Sequence, residues 1–273
     1  MTAVREYSLA HLSMIAIPPA ELAAVASEAG YQYAGFRLTP SPSTGVDHGF
    51  LGDERALEGL RSTVDDAGIR ILDVEVIRMK DPSAVEQARP LMAAAQALGA
   101  RYVIATVEDD DPLRRVDTLG RVAELAAEHD TAIAVEFMLF SAARDLGTCV
   151  DIVLASGASN VVVLADSLHL ERSGGQPDDL RRYPPHLFPY VQICGATGAG
   201  AAVDAEAARG EGVKARLMPD EGDLPVRQFI EALPVSTILS VESPLAGLSK
   251  PIDPLDLATA MLASARRAAG EIE

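Results

Sequence analysis

The strongest constraint on this chain is a unit that recurs along it: an alanine-rich helical stretch, a glycine, then a short run rich in β-branched residues. "PAELAAVASEAG" leads into "YQYAGFRL", "ERALEGLRSTVDDAG" into "IRILDVEVI", and "AVEQARPLMAAAQALGA" into "RYVIATV". "TLGRVAELAAEHD" before "TAIAVEFM" and "CVDIVLASGAS" before "NVVVLADSLHL" continue the series. Gly30, Gly68, Gly99 and Gly157 fall where each helix must stop in a left-handed turn. Pro19 sits near a helix start, where its missing N–H costs little. In the first helix Leu22, Val25, Ala26 and Ala29 share one face, the spacing of a helix lying on a sheet.

The strand ends are evenly spaced. Glu75 to Glu136 is 61 residues, two units, and Glu136 to Asp166 is 30, one unit. A βα repeat of that size predicts a parallel sheet. Eight strands are expected, near residues 6–12, 33–38, 70–77, 102–107, 131–138, 161–167, 189–194 and 236–242. Eight parallel strands with helices between them argue for a single (β/α)8 barrel spanning 1–273. A doubly wound open sheet is the alternative, although no G-x-G-x-x-G follows the first strand. A last helix near 254–269, with Ala258, Met261, Leu262 and Ala265 on one face, would close the ring. The longest irregular region is 195–224, and a loop of that length in a compact domain is often functional.

Nearly half the residues are hydrophobic, 48%, but only 4% are aromatic, so Ala, Val and Leu do most of the packing. The formal charge of −17 repels phosphate backbones and argues against a nucleic-acid partner. Cys149 and Cys194 lie in apolar stretches and read as small buried hydrophobes of a reducing compartment. "MTAVREYSLAH" has no long apolar run, so neither a signal peptide nor a membrane span is expected, and the chain reads as cytoplasmic. A homo-oligomer is compatible with the sequence, which is silent on subunit number.

In a barrel of this kind the active site lies at the C-terminal ends of the strands. Those ends carry His11, Arg37, Glu75, Glu136, Asp166, Gln192 and Glu242. Alternate residues of a strand face opposite sides. In "AIAVEFM" the large Ile133, Val135 and Phe137 should face the helices, which turns Glu136 toward the barrel axis. The same parity sends Asp166, Gln192 and Glu242 inward. Three carboxylates converging in a low-dielectric mouth repel one another, and without compensation one would hold a proton. A divalent cation resolves the conflict, with Glu136, Asp166, Gln192 and Glu242 as four oxygen ligands. An all-oxygen set prefers hard ions, Mn2+ or Mg2+ over Zn2+. For any one acid the simpler role is a salt bridge. Arg37 is expected to pair with Glu75, and Asp109, Asp110 and Asp111 read as a solvated turn and helix start.

At these residues the sequence resembles the xylose isomerase-like TIM-barrel superfamily, the sugar-phosphate isomerase/epimerase group. The specific parts are "VEF" on strand five, "DSLH" on strand six, which matches D-x-x-H, and "VES" on strand eight. Many members carry an H-x-K-D pattern on strand seven, where this chain has Gln192 and, three residues on, Gly195. Gln192 is similar to the strand-seven residue of barrels that look like bacterial 3-dehydroshikimate dehydratases. "RLMPDEGDLP" resembles their R-x-x-P-G-x-G-x-L-P stretch, with Asp220 in place of a glycine. The fold is shared with an abasic-site endonuclease, whose zinc cluster needs more histidines than the five found here.

The resemblance implies that Glu136 and Glu242 act as ligands and as the acid/base pair. A metal-polarised carbonyl loses its α proton to one carboxylate, giving an enediolate. Return of the proton to the other face epimerises, return to the next carbon isomerises, and loss of a β-hydroxyl dehydrates. His169 binds a substrate oxygen or moves a proton in this reading. Arg216 holds an anionic or hydroxyl-rich substrate group, with His11, Arg37 and Glu75 as further contacts. Three readings are open: an isomerase or epimerase acting on a small hydroxycarbonyl substrate, a dehydratase-type lyase, and a metal-binding barrel whose chemistry has lapsed. Gly195 and Asp220 give weight to the third, and Gly195 reads as leaving the substrate side of the site open.

Overall fold

A computed structural model describes residues 5–41, 44–200, 203–245 and 252–272. Eight parallel strands close into a barrel in sequence order, with β1 (Tyr7–Leu9) hydrogen-bonded to both β2 (Tyr33–Arg37) and β8 (Ile238–Val241). Between them lie β3 (Arg70–Met79), β4 (Tyr102–Val107), β5 (Ala132–Glu136), β6 (Val161–Asp166) and β7 (Tyr190–Ile193). The helices are α1 (Pro19–Ala29), α2 (Glu54–Ala67), α3 (Ala84–Leu98), α4 (Pro112–Glu128), α5 (Leu146–Ala155) and α6 (Ser167–Arg172). They continue with α7 (Ala205–Lys214), α8 (Val226–Glu231) and α9 (Pro254–Ala268). This is the expected (β/α)8 barrel, not the open sheet.

The two faces of the strands build two separate cores. Tyr33, Leu72, Ile104, Ala134, Leu164 and Tyr190 fill the barrel interior. Ile133, Val135, Val163, Val191 and Leu239 face outward into the helical layer with Leu22, Leu91 and Val122. Parity therefore sends Glu136, Asp166 and Gln192 inward, at the carboxyl ends of their strands. On β3 the alternation breaks twice, at the register shifts beside Leu72 and Val76. Each bulge adds a residue without a partner and re-aims the side chains beyond it. Leu72 and Asp73 both lie inside the barrel as a result. Gly35 makes this possible, because a Cβ there would stand 2.4 Å from Asp73 Oδ1.

Helix ends agree with the sequence signals. Gly30, Gly68 and Gly99 terminate α1, α2 and α3 with φ of 95°, 65° and 67°. Asp53, Asp111, Asp145, Asp166, Asp204 and Asp253 each accept backbone N–H groups at a helix start. Such caps contribute about 1 kcal/mol each, so part of the acidic excess is structural. Asp109, expected in a solvated turn, is instead buried and bonded through both oxygens to Arg114 at 2.6 Å. Cys149 and Cys194 are buried and free. Among the described residues no helix is long and apolar enough to cross a membrane.

Two expectations need correction. The first strand ends at Leu9, and His11 begins a short 3-10 helix, His11–Met14. The stretch 195–224 is not irregular throughout, since it contains α7 and folds back so that Leu217 and Gly222 pair with Gly195 and Ala196.

Candidate active site

A cavity of about 140 Å³ opens at the carboxyl ends of the strands. Glu136, Glu242 and His169 line it, with Arg37, Glu75 and Arg216. Asp166 and Gln192 lie beneath them, 0% and 2% exposed. Of the sequence-predicted residues, His11 is not in the lining. Its Nδ1 accepts the Arg37 backbone N–H at 2.9 Å, and its Nε2 lies 2.9 Å from the Ile17 carbonyl oxygen. Both ring nitrogens are committed to backbone because the 3-10 turn carries the ring sideways. The expected Arg37–Glu75 pair is present at 2.9 Å, buried at the cavity wall.

The largest departure concerns Arg216. It is 1% exposed and projects into the acidic cluster instead of standing at the rim. One terminal nitrogen bonds Asp166 Oδ2 at 2.5 Å and the other bonds Glu242 Oε2 at 2.8 Å. Its Nε donates to the Gly212 carbonyl at 2.7 Å. A cation thus already stands between two of the proposed ligands, supplied by the chain itself. Asp166 Oδ1 caps α6, accepting from Leu168 and His169 N–H at 2.7 and 3.3 Å. Gln192 Nε2 donates to Glu242 Oε1 at 2.8 Å, while its Oε1 is buried without a hydrogen-bond partner among the described residues.

These contacts set the charges. Burial pushes Asp166 upward, but the Arg216 guanidinium, His169 and the capping N–H groups bring it below the usual carboxylate range. Glu136 lacks such a partner; burial and the neighbouring Glu242 and Asp166 hold it well above its ordinary value. Burial raises Glu242 to about 8 despite Arg216. Burial lowers His169 to about 4, so its ring is neutral at pH 7. Beneath the cavity, burial, Glu75 and Glu242 keep Asp73 well above the ordinary range.

The donors fit a divalent ion. Glu136, Asp166 and His169 offer ligand atoms within 4.8 Å of one another. The expected ligand Glu242 is not in that group, its two oxygens being engaged by Gln192 and Arg216, while Gln192 Oε1 is buried and unpartnered among the described residues. This group differs from the expected all-oxygen set in holding an imidazole, and such a mixed set also suits zinc.

Gly195 is corrected as well. A Cβ there would meet the Glu221 and Met218 carbonyl oxygens at 2.2 and 2.3 Å. Its missing side chain admits the backbone of the loop that comes after it, not substrate. Gly195 and Leu217 exchange backbone hydrogen bonds of 3.0 and 2.8 Å. Gly222, at φ 80°, approaches Ala196 just as closely. Asp220 reaches outward to Ser264 and, at 2.5 Å, to Arg267 of α9, tethering the loop to the helical layer.

The sequence reading missed Arg78, Thr106, Phe140 and Arg209, which also line the cavity. Arg78 lies beyond the expected end of its strand, and Arg209 lies on the unforeseen α7.

Comparison with known proteins agrees with this architecture. A family model described as xylose isomerase-like TIM barrel matches residues 23–265. No curated protein matches the sequence significantly. Among solved structures, a xylose isomerase-like TIM barrel/4-hydroxyphenylpyruvate dioxygenase fusion protein superposes with a TM-score of 0.79 at 20% identity. The match covers 96% of this chain but 42% of the fusion protein, so this chain spans less than half of that protein's length. A probable 3-DHS dehydratase, AsbF, from Bacillus anthracis gives 0.72 at 15% identity, over 94% of this chain and 97% of that one. A D-psicose 3-epimerase solved in the presence of D-fructose gives 0.73 at 14% identity, over 97% and 99%. At these identities the likeness to the solved structures is one of fold. The family match extends over most of the barrel and over all four strands that carry the acidic cluster, so the chain belongs to the xylose isomerase-like TIM-barrel family.

Proposed function

We propose that this chain is a metal-dependent isomerase or epimerase that removes a proton next to the carbonyl of a small hydroxycarbonyl substrate. The observation that carries the reading is the pair Glu136 and Glu242. They reach one cavity from β5 and the end of β8, three strands apart in the ring. A substrate between them presents one face to each carboxyl group, so one takes the proton and the other returns it. A divalent ion held by Glu136, Asp166, Gln192 and Glu242, with His169 at hand, would polarise the carbonyl and acidify the neighbouring C–H. Mn2+ or Mg2+ is the ion of choice in this reading, because oxygen donors outnumber the imidazole. Neutral His169, with Nε2 3.7 Å from Glu136 Oε1, holds a substrate hydroxyl and moves its proton. Arg216 keeps Asp166 ionised and orients Glu242. Phe140 and Met138, with Leu12, Val76 and Val213, form the apolar part of the cavity lining.

A second reading, water elimination of the dehydratase type, is favoured by Gln192 on β7 and by the Arg216–Pro225 loop, which pairs with Gly195 and Ala196 just beyond that strand. Solvent-exchange NMR separates the two. Protein with Mn2+ in D2O is offered a panel of keto-sugars and 3-dehydroshikimate. Deuterium at the α carbon of a recovered sugar supports the first reading, and an aromatic product supports the second. No exchange and no product, together with no bound metal by elemental analysis, would sink both enzyme readings; metal bound without either would leave the lapsed metal-binding barrel.

A further inference from the structure

We infer that the substrate carries an anionic group, a carboxylate or a phosphate, held at the cavity mouth by Arg209 and Arg78; the inference rests on the hydroxycarbonyl reading above. The chain has 23 basic residues against 40 acidic ones. Against that background Arg37, Arg78 and Arg209 gather around a single small cavity. Arg37 is taken by Glu75. Arg78 has only a long contact, 3.7 Å, to a Glu108 oxygen, while Lys80 approaches the other oxygen at 3.6 Å. Arg209 makes no ion pair among the described residues.

Its guanidinium lies 4.4 Å from the centroid of the Phe140 ring. Stacking of this kind fixes the plane of the group and leaves its N–H edge free for a planar or tetrahedral anion. Phe140 packs edge-on against His169, with ring centroids 5.8 Å apart. The cation is thereby placed in line with the proposed chemistry. Burial lowers Arg78 from its ordinary value; Arg37 and Arg209 add to this, while Glu108 and Glu75 oppose it. Glu75 is engaged by Arg37, and Glu108 is shared at long range between Arg78 and Lys80, so a bound anion would give the Arg78 and Arg209 guanidinium groups a close acceptor. A neutral sugar offers Arg209 no charge partner.

The second contact lies in α7 itself. Gly212, one turn after Arg209, packs so closely on His169 that a Cβ would come within 3.1 Å of its ring. Arg172 on α6 holds Glu211 of α7 at 2.8 Å. The helix that presents Arg209 is therefore fixed relative to the site.

Calorimetric titration tests the inference on the whole protein with Mg2+ at low ionic strength. The probes are inorganic phosphate, glycerate and neutral dihydroxyacetone. At least one anion should bind about ten-fold or more tightly than dihydroxyacetone, and Arg209→Gln and Arg78→Gln should each weaken that binding about ten-fold. Arg209→Lys should weaken it less, and circular dichroism should report an unchanged fold. Preference for phosphate identifies a phosphate ester, and preference for glycerate a carboxylate. Equal binding of all three probes, or anion binding untouched in both Gln variants, overturns the inference. The chemistry fails separately: deuterium exchange into a neutral sugar without anion preference removes the anion alone, and anion binding without exchange on any substrate removes the reaction alone.

Discussion

Arg216 brings Asp166 below the usual carboxylate range but does not offset the burial that raises Glu242. It pairs with Asp166 and Glu242, whereas Glu136 has only His169 at 3.7 Å. The site thus separates an ionised carboxylate from two carboxyls able to take and give protons. Glu136→Gln and Glu242→Gln should each reduce solvent exchange by about 10²–10⁴-fold. Wild-type exchange in both variants would remove the acid/base assignment. His11 offers a test by stability. Burial, reinforced by stacked His48 and by Arg37, lowers it to about 4 against the Ile17 carbonyl, while the unfolded value is near 6.5. Its folded form is neutral, so its contribution is complete above pH ~6.5 and is lost as pH falls toward 4. Buried His169 titrates over the same window. The raised carboxyls Glu136, Glu242 and Asp73 act in the opposite direction in both proteins, so the test is the difference: from pH ~6.5 toward 4 wild type should lose melting temperature relative to His11→Gln, and identical slopes would refute the assignment. At this scale the inward acids were legible, because strand parity alone orients them. The depth of Arg216 was not, since nothing local marks a loop that folds back over the barrel.

Among the elements, the segment Arg216–Pro225 is the least predictable and the most tightly fitted. It departs from a familiar pattern at Asp220 and comes after Gly195, and both resembled signs of decay. In the fold one is a tether to α9 and the other a backbone contact. Gly195→Ala should cost about 1–3 kcal/mol through overpacking. Gly59, in the interior of α2 with open space around it, is the control. Gly59→Ala should stabilise by about 0.5–1 kcal/mol. Urea unfolding of both variants gives the comparison, and equal effects would show that Gly195 is not in close contact. The helix α7 escaped the sequence reading for a physical reason. Only Ala208 and Gly212 of its ten residues are buried, so it has no apolar stripe, and the Arg172–Glu211 pair holds it across to α6. The bulges of β3 were equally invisible, because an extra residue in a strand leaves no chemical mark.

For the whole molecule, the repeat of helix, glycine and strand foretold the closed ring, since each unit buries one face only when neighbours flank it. The acidity was less informative, as six aspartates serve as helix caps. A resident metal predicts a global effect. At a free Mn2+ or Mg2+ concentration one hundred-fold above the dissociation constant, the fold gains about 2.7 kcal/mol. The melting temperature should rise accordingly in wild type and less in Glu136→Gln. No rise with any divalent ion would remove the metal from the proposed mechanism. The guanidinium bridge has one more consequence, for the order in which substitutions can accumulate. Arg216→Gln alone leaves three buried acids facing one another. Arg216→Gln combined with Asp166→Asn has fewer charges to reconcile, and it should unfold at higher urea than the single Arg216→Gln variant. The arginine and the acids around it are then coupled, so that losing the cation is tolerated only once one of the acids is gone.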